Sequence, residues 1–148
     1  MRVIDADILS YALLENHIAT PYARPILVRA LKGELEAYVL DTTLLEAYHT
    51  LYWYYRVRPR SAVLEKLRIV AEGLNILCAS PRGLLLALEE GVPPGDGLLV
   101  ATALQNRIPI VVSDDKHVKR LAGKYGLIYE NPIPEDVKEK MGKANSLP

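Results

Sequence analysis

The chain has 148 residues, half of them hydrophobic and 24% charged, the balance of a single globular domain. Lys plus Arg equals Asp plus Glu, 18 against 18. That excludes a broad, non-specific nucleic-acid coat, which wants a basic surplus, but leaves room for a small basic patch. Cys78 is the single cysteine, so an internal disulfide and a cysteine-based zinc site are excluded. No apolar run reaches the roughly 18 residues of a membrane span, and no leader-like pattern precedes the first strand. The expected location is therefore the cytoplasm.

In chain order, Arg2–Ile4 reads as a short strand ending at Asp5, and Asp7 as the cap of a helix over Ile8–Glu15. Pro21 opens a second helix and Gly33 closes it. Leu35–Leu40 reads as a strand. A long helix follows from Asp41-Thr42-Thr43 toward Arg56, with an apolar stripe of Leu44, Leu45, Tyr48, Leu51, Tyr52 and Tyr55. Arg58-Pro59 stops it. Ser61–Glu72 is a further helix, Leu74–Ala79 a strand, and Pro81–Glu90 a helix followed by Gly91. Pro94–Arg107 is apolar almost all round, as a buried helix is. Ile108–Ser113 is a near-continuous apolar run, the pattern of a parallel strand covered on both faces. A helix over Asp114–Lys124 and a strand over Leu127–Tyr129 complete a domain spanning residues 1–131. Residues 132–148, polar and proline-interrupted, read as a loose tail.

Strands alternating with helices predict a three-layer α/β/α fold with a mainly parallel central sheet. Ligands bind such sheets beyond the carboxyl ends of the strands. The residues there are Asp5, Asp7, Asp41, Ser80, Ser113, Asp114 and Asp115, mostly acids. No glycine-rich phosphate loop follows any strand, which argues against a dinucleotide or nucleoside-triphosphate site. Two further acids stand out. Glu46 lies nearly opposite the centre of its helix's apolar stripe, either as a solvated residue near a helix start or facing a groove. Asp96 heads a buried stripe of Leu99, Val100, Ala103 and Leu104, either as a helix cap or as a functional carboxylate.

These segments carry a resemblance. Val3-Ile4-Asp5-Ala6-Asp7-Ile8-Leu9, Thr43-Leu44-Leu45-Glu46-Ala47-Tyr48, Gly95-Asp96-Gly97-Leu98-Leu99-Val100-Ala101-Thr102-Ala103 and Pro109-Ile110-Val111-Val112-Ser113-Asp114-Asp115-Lys116-His117-Val118 resemble, in order, the four acidic motifs of the PIN domain. The PIN domain is a small α/β nuclease fold, and the subgroup most similar is the VapC-type toxins of toxin–antitoxin pairs. The resemblance implies Asp5, Glu46, Asp96 and Asp115 as catalytic acids and metal ligands, with Ser113, Asp114 and Asp7 in support. It leaves open whether Asp114 or Asp115 faces the metal. Three positions depart from the family pattern. Asp7 stands where Ser, Thr or Asn is usual, Gly97 where alanine is common, and Val118 where an aromatic is usual.

Phosphodiester hydrolysis needs an activated water and neutralisation of charge on the phosphate. Mg²⁺ or Mn²⁺ supplies both and prefers oxygen ligands. His17, His49 and His117 are scattered, and no His/Cys cluster competes for zinc. The resulting expectation is a metal-dependent ribonuclease acting on single-stranded RNA, with Arg56, Arg58, Lys116 and Arg120 as candidate RNA contacts. Trp53 and Tyr54 lie off the apolar stripe, which leaves a homodimer, a cognate antitoxin helix, RNA stacking or burial under neighbouring helices open; the reading favoured here is a protein interface. Two alternatives are a haloacid-dehalogenase-type phosphatase, through Asp5-Ala6-Asp7, and a catalytically silent PIN-like binding module. A receiver domain would need an acid after Leu74–Ala79, where Ser80 stands.

Overall fold

The computed structural model describes residues 1–146. Among these are five strands: β1 Arg2–Ile4, β2 Ala37–Leu40, β3 Asn75–Leu77, β4 Ile110–Val112 and β5 Ile128–Glu130. They form one sheet in the order β3-β2-β1-β4-β5, and every pairing is parallel. Eight helices connect and cover them: α1 Ala6–Leu13, α2 Thr20–Leu31, α3 Asp41–His49, α4 Arg60–Gly73, α5 Arg82–Glu90, α6 Pro94–Gln105, α7 Lys116–Tyr125 and α8 Glu135–Ser146. This is the expected three-layer α/β/α arrangement.

Side chains alternate across a strand, and the two faces of the sheet build two cores. Ile4, Val39 and Val112 pack on one side with Leu9, Leu27 and Val63 from α1, α2 and α4 and with Leu51 from the segment after α3. Val3, Leu40 and Val111 pack on the other with Leu99, Ala103 and Val118 from α6 and α7. Strand β1 is central, paired to β2 and β4. Its carboxyl end therefore opens into the middle of the domain.

Glycine sets the contact between α5 and α6. A methyl group at Gly97 would collide with the carbonyl oxygen of Gly83 and with Ala87. The departure from alanine at position 97 thus has a steric cause: the two helices meet backbone to backbone.

Three expectations need correction. Strands β2, β3 and β4 are shorter than the apolar runs that announced them, while β1 spans its expected residues. The long helix after β2 does not stay α-helical to Arg56, because Thr50–Tyr54 forms a π-helical turn. The segment after Pro132 is not a loose tail over its described length. Glu135–Ser146 is helical, and Ile133 and Val137 are buried in the first core with Met141 packed against it. The spacing of these three is a helical stripe among charged residues. Residues 147 and 148 of the expected tail lie outside the described residues.

Candidate active site

The central strand delivers the first acid. Asp5 follows β1 in extended conformation and, in place of the expected Asp7, caps α1, its Oδ1 accepting the Ala6 N–H at 2.7 Å. Its Oδ2 accepts a hydrogen bond from the fully buried Ser113 hydroxyl at 2.6 Å. Ser113 in turn accepts the Asp115 N–H at 3.0 Å. Asp115 caps α7, its Oδ1 accepting the His117 N–H at 2.7 Å and the Val118 N–H at 3.3 Å. One hydroxyl thus ties the acid after β1 to the acid after β4.

Asp7 braces the same loop, its Oδ2 accepting the Asp114 N–H at 3.0 Å. The Asp114 carboxylate turns toward the chain's end. Oδ1 accepts from Asn131 Nδ2 at 2.7 Å and lies 3.8 Å from Lys138 Nζ. Of the adjacent pair, Asp115 lines the cleft between the acids and Asp114 does not.

Glu46 on α3 reaches across to the start of α6. A methyl group at Gly95 would lie 2.6 Å from its Oε1, so the glycine makes room for that carboxylate. Asp96 is next in the chain, 8% exposed. It is not the helix cap, because α6 is preceded by Pro93, and Asp96 stands within the first turn. Its Oδ2 is buried and has no hydrogen-bond partner among the described residues.

Asp5, Asp7, Glu46, Asp96 and Asp115 line one cleft of about 390 Å³, and no lysine or arginine lines it. Its electrostatics follow. Burial pushes the Asp5 carboxyl up to about 6, against the Ser113 and Ala6 hydrogen bonds, and Asp115 adds to the rise. Burial holds Asp7 well above the usual carboxylate range, with Asp5 adding repulsion. Glu46 is raised to about 7 by burial and then by Asp5. Asp96 is raised to about 7 by burial, and further by Asp115, Asp5 and Glu46. Like charges in a desolvated cleft favour protonation, or a cation.

The donors are all carboxylate oxygens, the chemistry a hard divalent cation takes. Asp96 Oδ2 supplies an oxygen that nothing else among the described residues uses. As the side chains stand, no three His, Cys, Asp or Glu residues among those described are close enough together to hold an ion. Asp5 and Asp115 are turned toward the donors of their own loop. The residues thus fit a metal in chemistry, and closing on one needs inward rotation of the carboxylates.

The remaining candidates separate. Arg120 is drawn to α5, where it pairs with Glu90 at 3.3 Å and donates to the Glu90 carbonyl at 2.9 Å. It does not line the cleft. Lys116 is exposed beside Asp115, and Arg56 and Arg58 are exposed beyond the π-helical turn. Trp53 and Tyr54 are 61% and 66% exposed, yet only Tyr54 lines the cleft. Sequence reasoning missed Tyr11, Thr50 and Tyr55, which also line it. For Tyr55 the apolar stripe pointed only to the core.

The structure defines a class: a parallel α/β/α fold with acids gathered at the carboxyl edge of its sheet. A family model described as PIN domain matches residues 2–124, and the chain belongs to the PIN domain family. Its coarse activity is accordingly that of a nuclease, a hydrolase acting on nucleic acids. Family membership and the placement of Glu46 and Asp96 beside Asp5 set aside the dehalogenase-type phosphatase, which has no use for them.

Solved structures share the fold. The crystal structure of PAE2754 from Pyrobaculum aerophilum aligns over 99% of this chain and 97% of its own, at 19% identity and a TM-score of 0.62. VapC20 of Mycobacterium tuberculosis, a toxin cleaving the sarcin-ricin loop, aligns over 82% and 95%, at 10% identity and 0.66. VapBC2 from Rickettsia felis, bound to a promoter DNA fragment, aligns over 88% and 97%, at 19% identity and 0.62. No curated protein matches the sequence. Among the described residues, no helix is long and apolar enough to cross a membrane.

Proposed function

We propose that this protein is a divalent-metal-dependent endoribonuclease that hydrolyses single-stranded RNA in the cytoplasm, as the toxin of a toxin–antitoxin pair. The observation that carries the reading is Asp96. A carboxylate oxygen buried without a partner costs several kcal/mol unless something answers it, and this one opens beside three other carboxylates from separate elements. Asp5, Glu46, Asp96 and Asp115 would hold Mg²⁺ or Mn²⁺, which when bound activates water and neutralises the developing oxyanion.

The chain's own residues do the rest. Ser113 fixes the relative positions of Asp5 and Asp115, and Asp7 keeps their loop from drifting. Glu46, raised to about 7 by burial and by Asp5, would give up its proton to the charge of a bound cation. Exposed Arg56, Arg58 and Lys116 supply phosphate contacts at the rim. The toxin assignment is supported by the fold shared with VapC20 and VapBC2. It carries with it a cognate antitoxin as partner and a homodimer as assembly, with Trp53 near the interface.

Purified protein incubated with single-stranded RNA should cleave it with Mg²⁺ or Mn²⁺ and stop with a chelator. Cleavage that persists undiminished in a folded Asp5→Asn protein, free of contaminating nuclease, would overturn the assignment.

A further inference from the structure

The π-helical turn after α3 re-aims one ring. Its closure is wide: the Tyr55 N–H donates to the Thr50 carbonyl at 3.0 Å, and the Val57 N–H to the Leu51 carbonyl at 2.9 Å. At about 100° per residue, an uninterrupted α-helix would carry Tyr54 roughly 80° away from Glu46. One extra residue in the turn sets it back by about 100°, which returns Tyr54 to within roughly 20° of the Glu46 face. Both residues line the same cleft.

Tyr54 is 66% exposed, but it is not loose. Its ring meets Tyr55 edge-to-face with centroids 4.8 Å apart, and Tyr55 meets His17 likewise at 5.5 Å. His17 stacks on Tyr11 at 4.7 Å. A tier of rings thus anchors an exposed aromatic at the lip of an acidic cleft. A ring already ordered loses little side-chain entropy when something lies on it.

The charges around it limit what that can be. The cleft itself is anionic, so Tyr54 can attract only a neutral part of a polyanion. Beyond it in the chain stand exposed Arg56, Arg58 and Arg60. Arg58 lies 3.7 Å and Arg60 5.0 Å from the centroid of Tyr52. Along one segment the order is carboxylate, ring, cations. A single strand offers the complementary order: scissile phosphodiester, base, next phosphate. A paired duplex hides its base faces in its own stack.

We propose that Tyr54 is the base-stacking platform of this site. It seats the unpaired nucleobase adjoining the scissile bond, and so selects single-stranded over paired substrate. The proposal rests on the ribonuclease reading and deepens it. Stacking on an aromatic tolerates any base, so Tyr54 sets strandedness rather than sequence.

The test measures binding apart from turnover. Anisotropy of a labelled single-stranded RNA is followed in the Asp96→Asn protein, alone and combined with Tyr54→Ala, Tyr54→Phe or Tyr54→Trp. Circular dichroism confirms folding. Removing the ring should weaken binding about 5- to 150-fold, the range measured for base–aromatic stacks. Tyr54→Phe should stay within about twofold and Tyr54→Trp should bind at least as tightly, because both keep a stacking face. In the active protein, Tyr54→Ala should raise KM more than it lowers kcat. Binding by Tyr54→Ala within twofold of its parent would overturn the stacking role while leaving the nuclease reading intact. So would a loss in Tyr54→Phe as large as in Tyr54→Ala, which would assign the effect to the hydroxyl. A parent protein that binds no single strand, together with an active-site-intact protein that cleaves none, would overturn both.

Discussion

Glu90 and Asp96 are carboxylates on consecutive helices, and their surroundings are opposite. Glu90, at the end of α5, accepts hydrogen bonds from Lys124 Nζ at 2.5 Å, the Tyr125 hydroxyl at 2.8 Å and Arg120 at 3.3 Å. Lys124 and Tyr125 hold it below the usual carboxylate range. Asp96, in the first turn of α6, is held up to about 7 by burial and three neighbouring acids, and one of its oxygens has no partner. The described residues answer the first acid with three donors and leave one oxygen of the second without any. An acid locked by donors staples α5 to α7. An acid left without them is the one the proposed function assigns to a cation.

The sharpest way to break this comparison is to neutralise each acid. Asp96→Asn should lower RNA cleavage at least about a hundredfold, the scale expected when transition-state charge stabilisation is removed. Glu90→Gln should leave the rate within about twofold. Equal losses, measured under single-turnover conditions with matched circular dichroism spectra, would erase the distinction.

Gly95→Ala is a subtler probe, because its new methyl group would lie 2.6 Å from Glu46 Oε1 and force the carboxylate aside. Cleavage should fall about tenfold. Combining it with Glu46→Gln should cost little more than either alone, because both act on one contact. A fully additive double variant would place the effect elsewhere.

Proton linkage gives the two regions opposite signs. Asp5 titrates near 6, and Glu46 and Asp96 near 7, so the folded chain binds their protons more tightly than the unfolded chain. The stability they contribute is fully present below the ordinary carboxylate range and is lost as pH rises through about 6 to 7. In chelator, the melting midpoint should therefore fall between pH 5 and pH 8, and Mn²⁺ should restore more of it at pH 8. Glu90 runs the other way. Its contribution is present above the ordinary carboxylate range and disappears as pH falls. Thermal scans across pH should find the neutral side flattened by Asp96→Asn and the acid side by Glu90→Gln.

Two smaller effects follow. In chelator at pH 7, Asp96→Asn should raise the melting midpoint by about 3 °C, or about 1 kcal/mol after screening by the open cleft. It should gain less than wild type from Mn²⁺. An unchanged metal response would remove Asp96 from the site. Trp53 is exposed outside the cleft, so Trp53→Ala should move a micromolar homodimer toward monomer in light scattering and leave cleavage per site unaltered. A monomeric wild type would rule out the dimer itself.

Much of this arrangement was legible in the residues alone. Apolar runs followed by acids mark strands and their carboxyl ends. Asp5 and Asp115 could be placed at the ligand edge because one directly follows the first apolar run and the other comes just after the run Ile108–Ser113. Asp96 was ambiguous because a helix-start acid reads the same whether it caps or binds. Pro93, standing where the cap would be, removes the capping reading. The choice between Asp114 and Asp115 depends on Asn131 and Lys138, far along the chain and beyond any local pattern. The π-helical turn was hidden for the same reason, since its extra residue leaves the local apolar spacing intact. α8 was passed over because charged residues obscure the Ile133, Val137, Met141 spacing.

The pairing of β1 with β4 has one more consequence, for folding fidelity. Ile4 stands opposite Val112, so Asp5 and Ser113 each lie one residue past the last matched pair, within reach of one another at 2.6 Å. A slip of one residue would exchange the side chains that β1 sends to the two cores and draw that hydroxyl away from its carboxylate in the same movement. A misregistered chain would therefore be born without its acid pair. Under the toxin reading proposed above, errors of folding would fail safe.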